Sequence, residues 1–276
     1  MRALVIGCVA TLGVWTTAAR LAPPAPALPT PALQNAIAVE RLVRGAHAPR
    51  VLVLGSSLAA RVPSALIGDD AMVIGLSGGS GAAAVALADA AGVRPTVAIV
   101  ELQRLGMPAP NGWADSLVRA ARSDRRARVA FFDQEHRPAT LALSAIARTS
   151  ARVRRWLSTE SQRRETEARA AHAYGPVADA ASDTAFAEAQ RRLTRWREQG
   201  TRVYLIELPV HEASAITPTL RAAIDRAFPA SEFPRVAHPP GGYPTSDGRH
   251  LEPEAAARVA QAIAVAALSE PRYTPR

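Results

Sequence analysis

Four short apolar runs, separated by stretches of helical character, set the architecture of this 276-residue chain. They are VLVLG (51–55), AMVIG (71–75), TVAIVEL (96–102) and RVYLIELPV (202–210). Each is bounded by Gly, Pro or a polar residue and is too short for a membrane span, so each reads as a buried strand. The small-residue stretch SGAAAVALADAAG (80–92) suits a helix packed tightly on a sheet. Gly200 is a helix stop before the fourth run, and LEPEAAARVAQAIAVAAL (251–268) reads as a closing helix with Pro253 in its first turn. A further helix is expected over 33–46. Strands alternating with helices predict an α/β fold, a three-layer α/β/α sandwich with a mostly parallel sheet.

Between 111 and 199 no strand-like run appears, while Arg, Ala, Glu and Leu recur at helical spacing, as in FAEAQRRLTRWREQ (186–199). This segment is expected to be a helical insertion or lid. Its Trp113, Trp156, Trp196, His136 and His172 fall at helical spacing and read as core or surface positions.

Composition narrows the function classes. Apolar residues make up 48% and charged residues 21%, which fits neither a disordered chain nor a multi-span membrane protein. The net charge is +9, and every one of the 33 basic side chains is Arg. Because these are spread through helical stretches rather than gathered in a tail, they read as a solvated surface and nucleic acid is not expected as a partner. One cysteine, Cys8, excludes an internal disulfide framework and a cysteine zinc site. With no Lys in the chain, a phosphate-binding P-loop cannot be completed.

Met1 and Arg2 precede an uncharged apolar run over 3–19, which ends at Arg20 and the Pro-rich LAPPAPALPTPA (21–32). A basic start followed by an apolar stretch of this length predicts a signal peptide or a membrane anchor over 1–21, the two being indistinguishable by length. Residues 22–34 would form a stiff spacer, and the globular part, 35–276, would face the outside, in the periplasm or cell envelope.

In a parallel α/β sheet, ligands bind beyond the carboxyl ends of the strands. This chain places there Gly55-Ser56-Ser57-Leu58, Gly75-Leu76-Ser77-Gly78-Gly79-Ser80, Glu101-Leu102-Gln103-Arg104 and Glu207-Leu208-Pro209-Val210-His211, with Ser246-Asp247-Gly248-Arg249-His250 just before the last helix. Acyl transfer needs a hydroxyl, a base, a carboxylate to orient the base, and donors for the oxyanion. Ser57 supplies the hydroxyl at an expected strand-to-helix turn, where a helix dipole and the Ser57 N–H would favour developing negative charge. Asp247 and His250 are three residues apart, so a turn brings both side chains to one side.

These blocks, in this order, resemble the SGNH or GDSL hydrolase superfamily over most of residues 50–268, which implies a flavodoxin-like sandwich. Gly55-Ser56-Ser57-Leu58 is similar to the first block, usually Gly-Asp-Ser-Leu, with Ser56 in place of the Asp. Asp247-x-x-His250 matches the C-terminal acid and base, and Gly78 the second block, whose N–H serves the oxyanion hole. The third block, usually Gly-x-Asn-Asp, is absent, and Gln103 is the expected substitute for its Asn. The resemblance implies catalysis by Ser57, Asp247 and His250, an oxyanion hole of Ser57, Gly78 and Gln103, and no metal or organic cofactor. It implies an acylated glycan or small ester as substrate, and for envelope-associated members a membrane acyltransferase as partner. Arg104 and His211 are expected near the substrate.

Two other readings use the same residues. A non-catalytic member of this fold would bind a glycan or a partner protein in the same pocket, a reading motivated by the altered third block. A dinucleotide-binding domain would use Gly79-Ser80-Gly81-x-x-Ala84 with Glu101 at the next strand end.

Overall fold

The computed structural model describes residues 31–45, 47–109, 112–123, 183–212 and 215–269, with isolated positions at 13, 14, 17, 140 and 149. Most of the expected signal peptide or anchor over 1–21 and most of the spacer thus lie outside the described residues. Among those described, no helix is long and apolar enough to cross a membrane.

The chain runs α1 (Pro31–Arg44), β1 (Val51–Ser56), β2 (Ala71–Leu76), α2 (Gly81–Ala90), β3 (Val97–Glu101), α3 (Trp113–Ser123), α4 (Asp183–Glu198), β4 (Arg202–Ile206), α5 (Pro218–Ala227) and α6 (Pro253–Leu268). All four runs read as strands form strands, and all pair in parallel in the order β2-β1-β3-β4. Helices cover both faces, which makes the three-layer α/β/α sandwich. On one face Leu52, Leu54, Ile74, Val100 and Leu205 meet α1 to α5, and on the other Val53, Ile99, Tyr204 and Ile206 meet α6. The β4 edge does not stay bare: Leu205 N–H donates to Pro234 O at 2.9 Å and Leu205 O accepts from Val236 N–H at 2.8 Å. That short pairing shields an edge that would otherwise offer unpaired backbone groups.

Three expectations are refined. α1 begins at Pro31, inside the expected spacer, consistent with the tolerance of a first helical turn for Pro. The described ends of the expected insertion belong to the core layer, with Val118 of α3 and Phe186, Leu193 and Trp196 of α4 buried against the sheet; most of 124–182 lies outside the described residues. The helix expected after Ser57 is only a 3-10 turn, Ala59–Arg61, followed by Pro63 and a second turn, Ser64–Leu66. Pro63 disfavours helical backbone at Val62, so no helix dipole of useful length points at Ser57.

Candidate active site

Parallel register brings the predicted residues to one rim. Ser56 pairs with Leu76, so β1 and β2 release their chains at the same level, Ser57 on one and Ser77-Gly78 on the other. Glu101 pairs with Ile206 in the same way, which sets Leu102 to Arg104 beside Glu207 and Leu208.

The loop that carries the acid and base is closed on itself before α6 starts. Thr245 bridges Leu251 antiparallel, Ser246 N–H donates to His250 O at 2.8 Å, and Glu252 N–H donates to Pro244 O at 2.9 Å. Inside it, Asp247 Oδ1 accepts from the N–H groups of Arg249 at 3.1 Å and His250 at 2.8 Å, the local turn that Asp favours. Asp247 Oδ2 is left to meet His250 Nδ1 at 2.7 Å. The opposite ring nitrogen, Nε2, lies 3.0 Å from Ser57 Oγ, across 193 residues of sequence. The three side chains thus form a continuous acid, base, hydroxyl relay, with the ring 21% exposed and the carboxylate 29% exposed.

Burial acts to raise the Asp247 carboxyl, yet the His250 ring, the His250 N–H, the electrostatic attraction of His250 and the Arg249 N–H outweigh it. The net effect lowers Asp247 from an ordinary 3.8 to about 2. An acid held ionised in this way fixes a proton on Nδ1 and leaves Nε2 as the acceptor facing the hydroxyl.

The other side of the rim is made of backbone. Gly78 has φ +75°, a left-handed conformation that glycine adopts at no steric cost, and Gly79 N–H closes the turn onto Leu76 O at 2.9 Å. The turn is anchored from α1: Asn35 accepts from Ser77 N–H at 2.8 Å and donates to Ser77 O at 3.0 Å, and Gln34 bonds the Ser77 hydroxyl.

Gln103 is placed differently from the expectation. It is buried, its amide N–H donates to Leu208 O, and its Oε1 accepts from Leu208 N–H at 3.1 Å. That two-point pairing turns the amide away from the rim and makes it a clamp between the ends of β3 and β4. Arg104 is part-buried and donates to Met107 Sδ at 3.0 Å. His211 is tied to the Asp247–His250 loop through its backbone, its N–H donating to Gly248 O at 2.9 Å.

Two residues of this site carry no role in the reading of the sequence as a hydrolase. Glu101 there served only the dinucleotide alternative, yet a lone acid ending an apolar strand was a visible signal. Asn35 had no signal, because its partner is a backbone 42 residues away. In the glycine-rich segment of the dinucleotide alternative, Ser80 caps α2, its Oγ accepting from Ala83 N–H at 3.0 Å. Among the described residues no group of three or more His, Cys, Asp or Glu is placed to hold a metal ion.

Comparisons of this chain with protein-family models, with curated proteins and with solved structures find no match. The functional reading therefore rests on the geometry of the rim.

Proposed function

We propose that this chain is a serine esterase or O-acyltransferase of the SGNH kind, acting on acyl esters, above all acetyl esters, of an envelope or extracellular glycan. One observation carries the reading: Ser57 Oγ, His250 Nε2, His250 Nδ1 and Asp247 Oδ2 stand in line at 3.0 and 2.7 Å. Ser57, 193 residues from the loop that pairs His250 with Asp247, has no packing reason to align with them as hydroxyl to base and orienting acid.

In the proposed reaction Ser57 Oγ attacks the ester carbonyl while His250 Nε2 takes its proton. The carbonyl oxygen becomes an anion, met by the N–H groups of Ser57 and Gly78. Collapse breaks the bond to the leaving alcohol, which receives the proton from His250, and leaves the acyl group on Ser57. A second acceptor, water for hydrolysis or a sugar hydroxyl for transfer, attacks the acyl carbonyl while giving its proton to His250, and His250 returns that proton to Ser57 Oγ as the acyl–Ser57 bond breaks. Asp247 stays ionised throughout and stabilises the imidazolium. The apolar segment over 3–19 fits export and a tether beside a membrane acyltransferase, which would supply or receive the acyl group.

A specific observation favours the non-catalytic alternative: with Gln103 turned onto Leu208, the oxyanion is left with backbone donors alone. Fluorophosphonate labelling of the full chain, read by intact mass, separates the two. A single adduct on wild type, absent from Ser57→Ala and from His250→Ala, is the expected outcome. A folded wild type that takes no adduct overturns the enzyme reading and leaves the binding one.

A further inference from the structure

An acid that ends an apolar strand and is then fully buried needs a reason, because an unpaired buried carboxylate is among the most unfavourable groups a core can contain. Glu101 has no exposed surface, and among the described residues no basic side chain is hydrogen-bonded to it. Among the described residues its hydrogen-bond partners lie in the segment around Ser57. Ser56 N–H donates to Oε2 at 2.7 Å, and the Ser56 hydroxyl donates to Oε1 at 2.7 Å with a longer approach of 3.0 Å to Oε2. The Ala59 N–H also favours the ionised carboxyl. Ser56 Oγ in turn accepts from Leu58 N–H at 3.2 Å. Residues 56, 58 and 59 are thus gathered on one carboxyl, directly or through Ser56, while Ser57 alone points away, toward His250.

The packing leaves no slack. A Cβ at Gly55 would lie 2.4 Å from Glu101 Oε2 and 2.6 Å from Ala59 Cβ, so the acid and the turn are pressed against β1 at the one position without a side chain. Burial raises the Glu101 carboxyl above its ordinary range, while the bonds from Ser56 and Ala59 and the nearby Arg104 pull the other way.

From this geometry we propose that Glu101 is a positioning residue for the nucleophile, its carboxyl fixing the Ser56 to Ala59 turn so that Ser57 Oγ stays in line with His250 Nε2. The proposal rests on the reading of Ser57 as the nucleophile. An apolar residue at 101 would leave the turn N–H groups without an acceptor, and the turn would move to satisfy them elsewhere. Displacing a reacting atom by about 1 Å lowers a rate by about 100-fold, so a small shift at this turn is amplified in the chemistry.

The test is the kinetics of fluorophosphonate labelling on the full chain, resolved into a limiting rate and a half-saturating concentration, with thermal melts of each variant. Glu101→Ala is expected to lower the limiting rate about 10- to 100-fold with the half-saturating concentration unchanged. Glu101→Gln keeps an acceptor oxygen for the Ser56 N–H and recovers most of the loss. A purely structural role predicts lower melts but wild-type labelling of the folded protein, and that result overturns the proposal. Should Glu101→Ala not fold, Ser56→Ala decides it, because it removes the hydroxyl that links the turn to the carboxyl: slower labelling supports the proposal, and a wild-type rate overturns it. The two hypotheses fail separately. Absence of any adduct on wild type refutes Ser57 as nucleophile and this proposal with it, whereas a wild-type adduct with unaffected variants refutes only the role of Glu101.

Discussion

On one side of Ser57 the rim consists of side chains bonded to side chains, while on the other it consists of backbone N–H groups whose positions depend on side chains elsewhere. The first side, Asp247 and His250, is local. It is a loop whose own hydrogen bonds shape it, so the acid orients the base with little help from the rest of the fold. The second side is remote. Gly78 is aimed by Asn35 from α1, and the neighbouring strand ends are held together by Gln103 on Leu208. An acid and base pair can therefore be carried by a short motif, whereas the backbone donors opposite are positioned by the whole sandwich.

The largest effect that sharpens this contrast belongs to the acid. Asp247→Asn preserves the shape of the loop but can no longer hold the proton on Nδ1, so turnover of an acetyl ester should fall by about 10,000-fold. The same variant should lose stability in a pH-dependent way. Because the Asp247 carboxyl is lowered from 3.8 to about 2 in the folded chain, its contribution is fully present above 3.8 and disappears as pH falls through 2. Melts of wild type and Asp247→Asn should differ at pH 5 and converge toward pH 2. A gap that stays constant over that range would mean that the carboxylate is not the source of the difference.

Sequence reading reached the two sides unequally for the same reason. Ser57, Asp247 and His250 carry their chemistry in the side chain, so residue type and spacing were informative, and the strands were informative because buried parallel strands are continuous apolar runs. An oxyanion donor is a peptide N–H, which every residue but Pro possesses. Gly78 was recognisable only through the resemblance, and Asn35 not at all. Gln103 was visible as an amide but its use was not: an amide aimed at an oxyanion and one pairing with a backbone are the same letter. The helix expected after Ser57 failed on one residue, Pro63, whose effect on Val62 outweighed the helical character of Leu58-Ala59-Ala60-Arg61.

The remote side should respond more mildly. Asn35→Ala removes both bonds to Ser77, each contributing about 1 kcal/mol in a typical setting, and frees the turn that presents Gly78. Turnover should drop by about 10-fold, with adduct formation at Ser57 slowed in parallel, because loosening a preorganised donor forfeits only part of its contribution. Asn35→Asp, which keeps the acceptor for Ser77 N–H and loses the donor to Ser77 O, should fall between. Equal rates in wild type and Asn35→Ala would show that Gly78 N–H is held by its own turn, and the contrast between the sides would weaken.

The smallest effect on chemistry is expected where the resemblance would place a large one. If Gln103 were the oxyanion donor that replaces the missing Asn, then Gln103→Leu would cost about 100- to 1,000-fold in turnover. The pairing with Leu208 argues otherwise, since both ends of the amide are engaged inside the protein. Gln103→Leu leaves the Leu208 N–H and C=O buried without partners, a loss of about 1–3 kcal/mol for an unsatisfied buried group. The expected result is thus a lower melt with turnover of the folded protein changed by no more than about threefold, the size of a small adjustment at the rim. Measured together, melt and turnover distinguish the roles: a stable Gln103→Leu with a large kinetic defect returns the amide to the oxyanion, and an unstable one with intact kinetics keeps it as the clamp between β3 and β4.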